Sequence, residues 1–277
     1  MREKAYAKIN LSINIKGVLS TGYHDLDMIM LPINLYDIVD IKLSKETKYQ
    51  CNVDCPYDEN NLVYKCIEVL RKEYGFKQQF DIKLTKNIPM CAGLAGGSTD
   101  GAAAMRIVNK LLKLNISQEM LAQLASKVGA DIPFCIYSKP ARVKGFGEIV
   151  EPIDLDRKFN VLLIKPEQGI NTKECYQLAD KLEVDHPNID KLYNALMNNE
   201  SIEELLGNSL QIPAIQILDT IGNIIEDCKK FGYKDVLMSG SGSTVFVLGD
   251  ENEKFTKLIK HAKENYKFVI KTNIFTM

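Results

Sequence analysis

The segment Ile88-Pro89-Met90-Cys91-Ala92-Gly93-Leu94-Ala95-Gly96-Gly97-Ser98-Thr99-Asp100-Gly101-Ala102-Ala103-Ala104 constrains this chain more than any other stretch. Glycines at 93, 96 and 97 let the backbone turn sharply and approach a ligand. The alanine-rich run behind them predicts a helix over Ala102–Leu114, so the fold must deliver a bare loop, Pro89–Gly101, to the start of a helix. Free N–H groups and the positive dipole end then converge on one point, and Ser98 and Thr99 add hydroxyls. That combination is a phosphate cradle. The same residues also suit a flexible turn with Asp100 as an ordinary helix cap. G-x-x-x-x-G-K-[ST] and G-x-G-x-x-G are both absent, which excludes a Walker A loop and makes a dehydrogenase a poor choice.

Elsewhere the periodicity is mixed. Ala5–Lys16 alternates strictly, with Ala5, Ala7, Ile9, Leu11, Ile13 and Ile15 on one face and Lys8, Asn10 and Ser12 on the other, the pattern of a half-buried strand. Strands are expected at Leu26–Leu31, Asp37–Leu43, Phe80–Leu84, Arg142–Phe146 and Val161–Lys165. A helix over Asn61–Tyr74 is closed by Gly75, and Ser117 opens another that Gly129 ends. The polar stretch Asp154–Lys158 reads as a connection to a second half. That half holds helices near Thr172–Leu182, Asp190–Met197 and Ile215–Phe231, strands at Val236–Met238 and Val245–Leu248, a helix near Lys254–Tyr266 and a last strand Phe268–Thr272. Strands and helices mixed in both halves predict an α+β protein of two packed domains, 1–155 and 156–277.

Lys plus Arg (35) nearly balances Asp plus Glu (36), which gives no reason to expect nucleic acid or an anionic membrane as partner. The seven cysteines are odd in number and form no C-x-x-C pair; Cys51 and Cys55 have no second pair nearby to complete a metal site, so reduced thiols are expected. No signal peptide and no apolar run of spanning length is legible, and a cytoplasmic location is the expectation.

The glycine segment resembles the central motif of the GHMP kinase superfamily. Ala7-Lys8-Ile9-Asn10-Leu11 with Gly22-Tyr23-His24-Asp25-Leu26, then Gly129-Ala130-Asp131-Ile132-Pro133-Phe134, then Met238-Ser239-Gly240-Ser241-Gly242-Ser243-Thr244 extend the resemblance, in the superfamily's order, over nearly the whole chain. Cys91, Ala92 and Ala95 depart from its commonest glycine-rich form. The resemblance implies a two-domain GHMP kinase fold, with a ribosomal protein S5 domain 2-like N-terminal domain and a ferredoxin-like C-terminal domain. It also implies transfer of the γ-phosphoryl group of ATP, with Mg²⁺, to a small alcohol. The Tyr23-His24 motif is similar to the branch whose acceptor carries a cytidyl group, in the non-mevalonate route to isoprenoid precursors.

Carried over residue by residue, the resemblance makes Asp131 the base that deprotonates the acceptor hydroxyl. Lys8 stands beside it to stabilise charge on the phosphoryl group. Asp131 also has the position of an N-cap, with Pro133 early in a helix. The stretch Pro89 to Thr99 would hold ATP, with Asn61 and Lys86 near the adenine, though these two also read as a helix-start amide and a surface charge. Asn10, Tyr23, His24, Tyr176 and Gly240 would bind the acceptor, the rings of Tyr23 and Tyr176 against the pyrimidine; each tyrosine also suits plain packing. No metal ligand is legible beyond the Ser98 or Thr99 hydroxyls. Homoserine- or mevalonate-type acceptors, and a non-catalytic ligand-binding relative, are the competing readings; oligomeric state is not legible.

Overall fold

β1 (Arg2–Val18) and β2 (His24–Ser44) form a long antiparallel hairpin whose register shifts between Tyr6 and Lys8, Asn10 and Ser12, and Ile15 and Gly17. Such irregularities break the simple alternation of faces along a strand. Ala5, Ile13 and Ile15 therefore join one core, and Ala7, Ile9 and Leu11 another. This corrects the half-buried strand expected from strict alternation: Lys8, Asn10 and Ser12 are 3%, 1% and 0% exposed. The two strands expected at Leu26–Leu31 and Asp37–Leu43 are one continuous strand, β2. Pro32 sits in it opposite Lys8, at the first register shift, where a missing N–H is tolerated.

The computed structural model describes residues 1–275; residues 276 and 277, the end of the expected second domain, lie outside the described residues. After β3 (Lys48–Cys51) come α1 (Leu62–Tyr74), β4 (Gln79–Thr85), α2 (Gly96–Leu112), α3 (Gln118–Ser126), α4 (Ile132–Tyr137), β5 (Ala141–Gly145) and β6 (Ile149–Pro152). Among the described residues these strands make a six-stranded sheet ordered β3-β4-β2-β5-β6, with β1 paired along β2. The second half holds β7 (Asn160–Lys165), α5 (Thr172–Ala179), α6 (Ile189–Met197), α7 (Gln211–Ile217), α8 (Thr220–Lys230), β8 (Val236–Met238), β9 (Val245–Gly249), α9 (Glu253–Asn265) and β10 (Phe268–Asn273). Its sheet is antiparallel and ordered β10-β7-β9-β8, the ferredoxin-like arrangement.

The apolar positions explain the layering. α1 and α2 bury Cys66, Ile67 and Leu70 against Ala102–Met105 in the core that also takes Ile13 and Ile15. Gly101 sets how closely the two helices approach: a Cβ there would lie 2.8 Å from Cys66 Sγ and 3.1 Å from the Leu62 carbonyl oxygen. The opposite side of the β1–β2 hairpin, through Ile9, Leu11, Ile29 and Leu31, meets Val161 and Leu163 of β7 and Phe246 of β9. The hairpin is thus buried on both faces. The single helix expected over Ile215–Phe231 is two, because Leu218 is extended (φ −143°, ψ 93°) and lets α8 fold back with Gly222 against Ile215.

Candidate active site

Helix α2 begins at Gly96, not at Ala102, so half of the expected loop is helical. Glycine's poor propensity matters little in a first turn, where no i→i−4 bond has yet formed. What the site needs is room: a Cβ on Gly96 would lie 3.1 Å from Ile88 Cγ2, and one on Gly97 3.3 Å from Leu62 Cδ1. Ala95, left-handed at φ 56°, occupies the N-cap without a side-chain acceptor. The first helical bond runs from Thr99 N–H to the Ala95 carbonyl, 2.9 Å, leaving the amides of Gly96, Gly97 and Ser98 without helical acceptors. All three residues line a cavity of about 740 Å³.

The loop's carbonyls face away and are tied down. Leu94 C=O accepts from Lys8 N–H (3.2 Å), Ala92 C=O from Thr244 N–H (3.3 Å) and Gly93 C=O from the Ser239 hydroxyl (3.1 Å). Gly93 has φ 71°, and a Cβ there would fall 2.1 Å from the Ser239 carbonyl oxygen, so only glycine passes. The turn Ser239–Ser243 is held in place by Asn208, whose Nδ2 donates to the carbonyls of Met238 (2.8 Å) and Gly240 (2.9 Å). Gly240, Ser241 and Gly242 form the cavity wall on that side.

Lys8 and Asp131 meet in the wall of the same cavity. Lys8 Nζ donates to Asn10 Oδ1 at 2.6 Å and stands 3.6 Å from Asp131 Oδ2. Asp131 occupies the N-cap position of α4, yet its φ −81° and ψ −14° are helical and its carboxylate makes no capping bond. Its side chain stays 37% exposed while that of Lys8 is 4% exposed. A free carboxylate beside a buried ammonium is therefore aimed at the cavity. Behind it, burial first and the charge of Asp131 second push the Cys135 thiol up to about 12.

Family models describing the GHMP kinases N terminal domain and the GHMP kinases C terminal match residues 61–139 and 192–267. A 4-diphosphocytidyl-2-C-methyl-D-erythritol kinase of Clostridium beijerinckii is 40% identical, covering 98% of this chain and 99% of that protein. The chain belongs to the GHMP kinase family. Another relative of the same name, from Thermoanaerobacter pseudethanolicus, is also 40% identical over 97% of this GHMP kinase and 94% of its own length. The crystal structure of a 4-(cytidine 5'-diphospho)-2C-methyl-D-erythritol kinase superposes with a TM-score of 0.83 at 25% identity, covering both chains fully. Homoserine kinase from Cytophaga hutchinsonii shares the fold, with a TM-score of 0.74 at 16% identity over 98% of this chain and 94% of that one.

Of the residues singled out in this GHMP kinase from sequence, Lys8, Asn10, Asn61, Lys86, the run Pro89–Ser98, Asp131, Tyr176 and Gly240 line the cavity. Three stand outside its wall. Thr99 is buried and does not line the cavity, so its hydroxyl is not offered to a ligand as expected. Tyr23 is 60% exposed in the turn after Gly22, its ring 5.2 Å from that of Phe146. His24 sits behind Tyr176, ring centroids 4.6 Å apart, with Nε2 2.7 Å from Asp180 Oδ1. Tyr176's hydroxyl is pushed upward by burial and then by the charge of Asp131.

Asn61 is fully used by the scaffold: its Oδ1 caps α1 through Val63 and Tyr64 N–H, and its Nδ2 donates to the Pro56 carbonyl. Lys86 is no surface charge. Its ammonium is buried between Asp37 and Asp100, 2.6 Å from Asp100 Oδ2, while Asp37 Oδ1 accepts from Asn87 and Ile88 N–H. Asp100 lies inside α2 and caps nothing; burial pushes its carboxyl well up despite Lys86, and its Oδ1 has no partner. Asp37, Asp100 as an ion-pair member, Asn208 and Asp180 carried no local signal, since each acts on a partner 14 to 156 residues away. Among the described residues no three His, Cys, Asp or Glu side chains gather as a metal cluster, and no helix is long and apolar enough to cross a membrane.

Proposed function

We propose that this chain transfers the γ-phosphoryl group of ATP to the 2-hydroxyl of 4-diphosphocytidyl-2-C-methyl-D-erythritol, giving the 2-phosphate, in the cytoplasm and within the non-mevalonate route to isoprenoid precursors. The observation that carries it is one cavity whose wall holds both three unpaired helix-start amides and the Lys8–Asp131 pair. The relatives named for that reaction supply the acceptor.

The triphosphate oxygens accept from the amides of Gly96, Gly97 and Ser98, where the start of α2 also favours negative charge. Asp131 takes the proton of the acceptor hydroxyl as its oxygen bonds to the γ-phosphorus and the bond to the β-phosphate oxygen breaks. Lys8, held by Asn10, keeps positive charge beside the reacting oxygens. Mg²⁺ suits this donor set, because the Ser98 hydroxyl in the cavity wall and the phosphate oxygens are hard oxygen ligands. When bound it neutralises phosphate charge. The domains at 1–155 and 156–277 then face each other across the cavity, the loop after Ile88 from the first and the Gly240 turn from the second.

Purified chain with ATP, Mg²⁺ and the cytidyl compound should release ADP in step with a phosphorylated product. Turnover of homoserine or mevalonate, with none of the cytidyl compound, would overturn the acceptor while leaving the kinase.

A further inference from the structure

Asp37 lies in β2 one residue before Ile38, which pairs with Thr85 at the end of β4, so it meets Lys86 where the chain leaves the sheet. It is fully buried, and both carboxylate oxygens are used. Oδ1 accepts from the N–H groups of Asn87 (2.5 Å) and Ile88 (2.8 Å), and Oδ2 faces the Lys86 ammonium. That ammonium donates to Asp100 Oδ2 at 2.6 Å, on α2 one turn beyond Gly96. It also abuts the helix start: a Cβ on Gly96 would lie 3.3 Å from Lys86 Nζ.

One buried carboxylate thus holds the chain as it enters the glycine loop and, through one ammonium, the helix on which the loop ends. The amides of Gly96, Gly97 and Ser98 stand at that junction without helical acceptors. An amide N–H has no side-chain torsion to aim it, only the planar backbone around it. We propose that Asp37 is a positioning residue for the nucleotide: acting through Lys86 and Asp100, it fixes loop and helix so that these three amides converge on the triphosphate.

This rests on the functional reading above and deepens it, since it gives a role to a carboxylate outside the cavity wall, where Lys86 and Asp100 are the members that line it. Stability alone is a poor reason for the cluster. Three ionisable groups are withdrawn from water, and an apolar set of similar volume would often hold the fold as well. An apolar set lacks direction, which hydrogen bonds to Asn87, Ile88 and Lys86 supply. Burial pushes the Asp100 carboxyl well up, and a proton there leaves Asp37 and Lys86 as a neutral pair that adds no repulsion toward a triphosphate.

The test uses the full chain and two variants. Asp37→Asn keeps an acceptor for Asn87 and Ile88 but turns amide hydrogens toward the ammonium. Asp100→Ala cuts the link to α2 with a residue that suits a helix. kcat and both KM values are measured with ATP, Mg²⁺ and the cytidyl substrate, with Tm on the same samples. KM for ATP should rise about tenfold or more in each variant, while kcat at saturation and KM for the cytidyl compound stay within about threefold. Adenosine, which carries no phosphate, should keep its inhibition constant against ATP within about twofold. A lowered Tm with an unchanged KM for ATP in the folded variants is the mark of a purely structural cluster and overturns the inference. An inhibition constant for adenosine that rises in step with KM for ATP also overturns it, because the cluster would then serve the base. Where Asp37→Asn does not fold, Asp100→Ala decides by the same measures. These outcomes spare the functional reading; a wild-type chain that releases no ADP with the cytidyl compound overturns that reading, and the inference with it.

Discussion

Asp131→Asn separates catalysis from scaffolding because the carboxylate makes no capping bond to α4. The substitution keeps the shape and removes one charge 3.6 Å from Lys8 Nζ. At that separation two unit charges attract by about 1 kcal/mol in water and about 5 kcal/mol at an effective dielectric of about 20. The side chain of Asp131 is 37% exposed, so solvent screening brings the net effect to about 1 kcal/mol. Lys8 meanwhile keeps its bond to Asn10. A chain of this length should therefore lose roughly 2–4 °C in Tm. Loss of a general base lowers turnover about 10²–10⁴-fold, equivalent to about 3–5 kcal/mol of barrier. The two effects differ by several kcal/mol, and that gap is the test. Initial rates of ADP release at saturating ATP and cytidyl substrate, with a thermal scan on the same sample, measure both. KM for ATP should move by less than about twofold, since the loop amides are untouched. A kcat within tenfold of wild type and an unshifted Tm would refute the assignment of Asp131 as base.

Gly93→Ala places a methyl 2.1 Å from the Ser239 carbonyl oxygen at φ 71°, and should cost about 3 kcal/mol, roughly 6–12 °C in Tm, with a raised KM for ATP; a variant melting with the wild type would show that the loop and the Gly240 turn do not clasp. Asp100 gives a pH dependence. Burial raises its carboxyl well above the ordinary 3.8, so its contribution to stability is fully present below about pH 3.8 and is lost as pH climbs through the folded value. Asp100→Asn cannot titrate, so its Tm deficit against wild type should shrink as pH rises above about 4; thermal scans in which the deficit widens with rising pH would sink the argument.

The phosphate-binding end of the site was legible because it is local. Gly93, Gly96, Gly97 and Ser98 fall within six successive residues, and their chemistry is that of backbone amides. Helix starts at Asn61 and Ser117 were equally plain, since an N-cap bonds within three residues. The start of α2 was misplaced for a related reason: propensity says nothing of a first turn that has no hydrogen bonds to make. Tyr23 and Thr99 were expected in the cavity from their motif positions, and a turn and a helix face carried them out of its wall.

Alternation, helical period and glycine spacing are properties of neighbours, and by themselves they determined the α+β class, the element order and the phosphate cradle. Which face Lys8 takes was decided only when β1 slipped register against β2, a property of two strands and not of one. The same holds for Lys86 between Asp37 and Asp100, for Asn208 beneath the Gly240 turn, and for Asp131 left uncapped beside Lys8. Each is a pairing of polar groups far apart along the chain, made strong by burial. Burial is decided by what covers a residue, which a linear sequence does not specify.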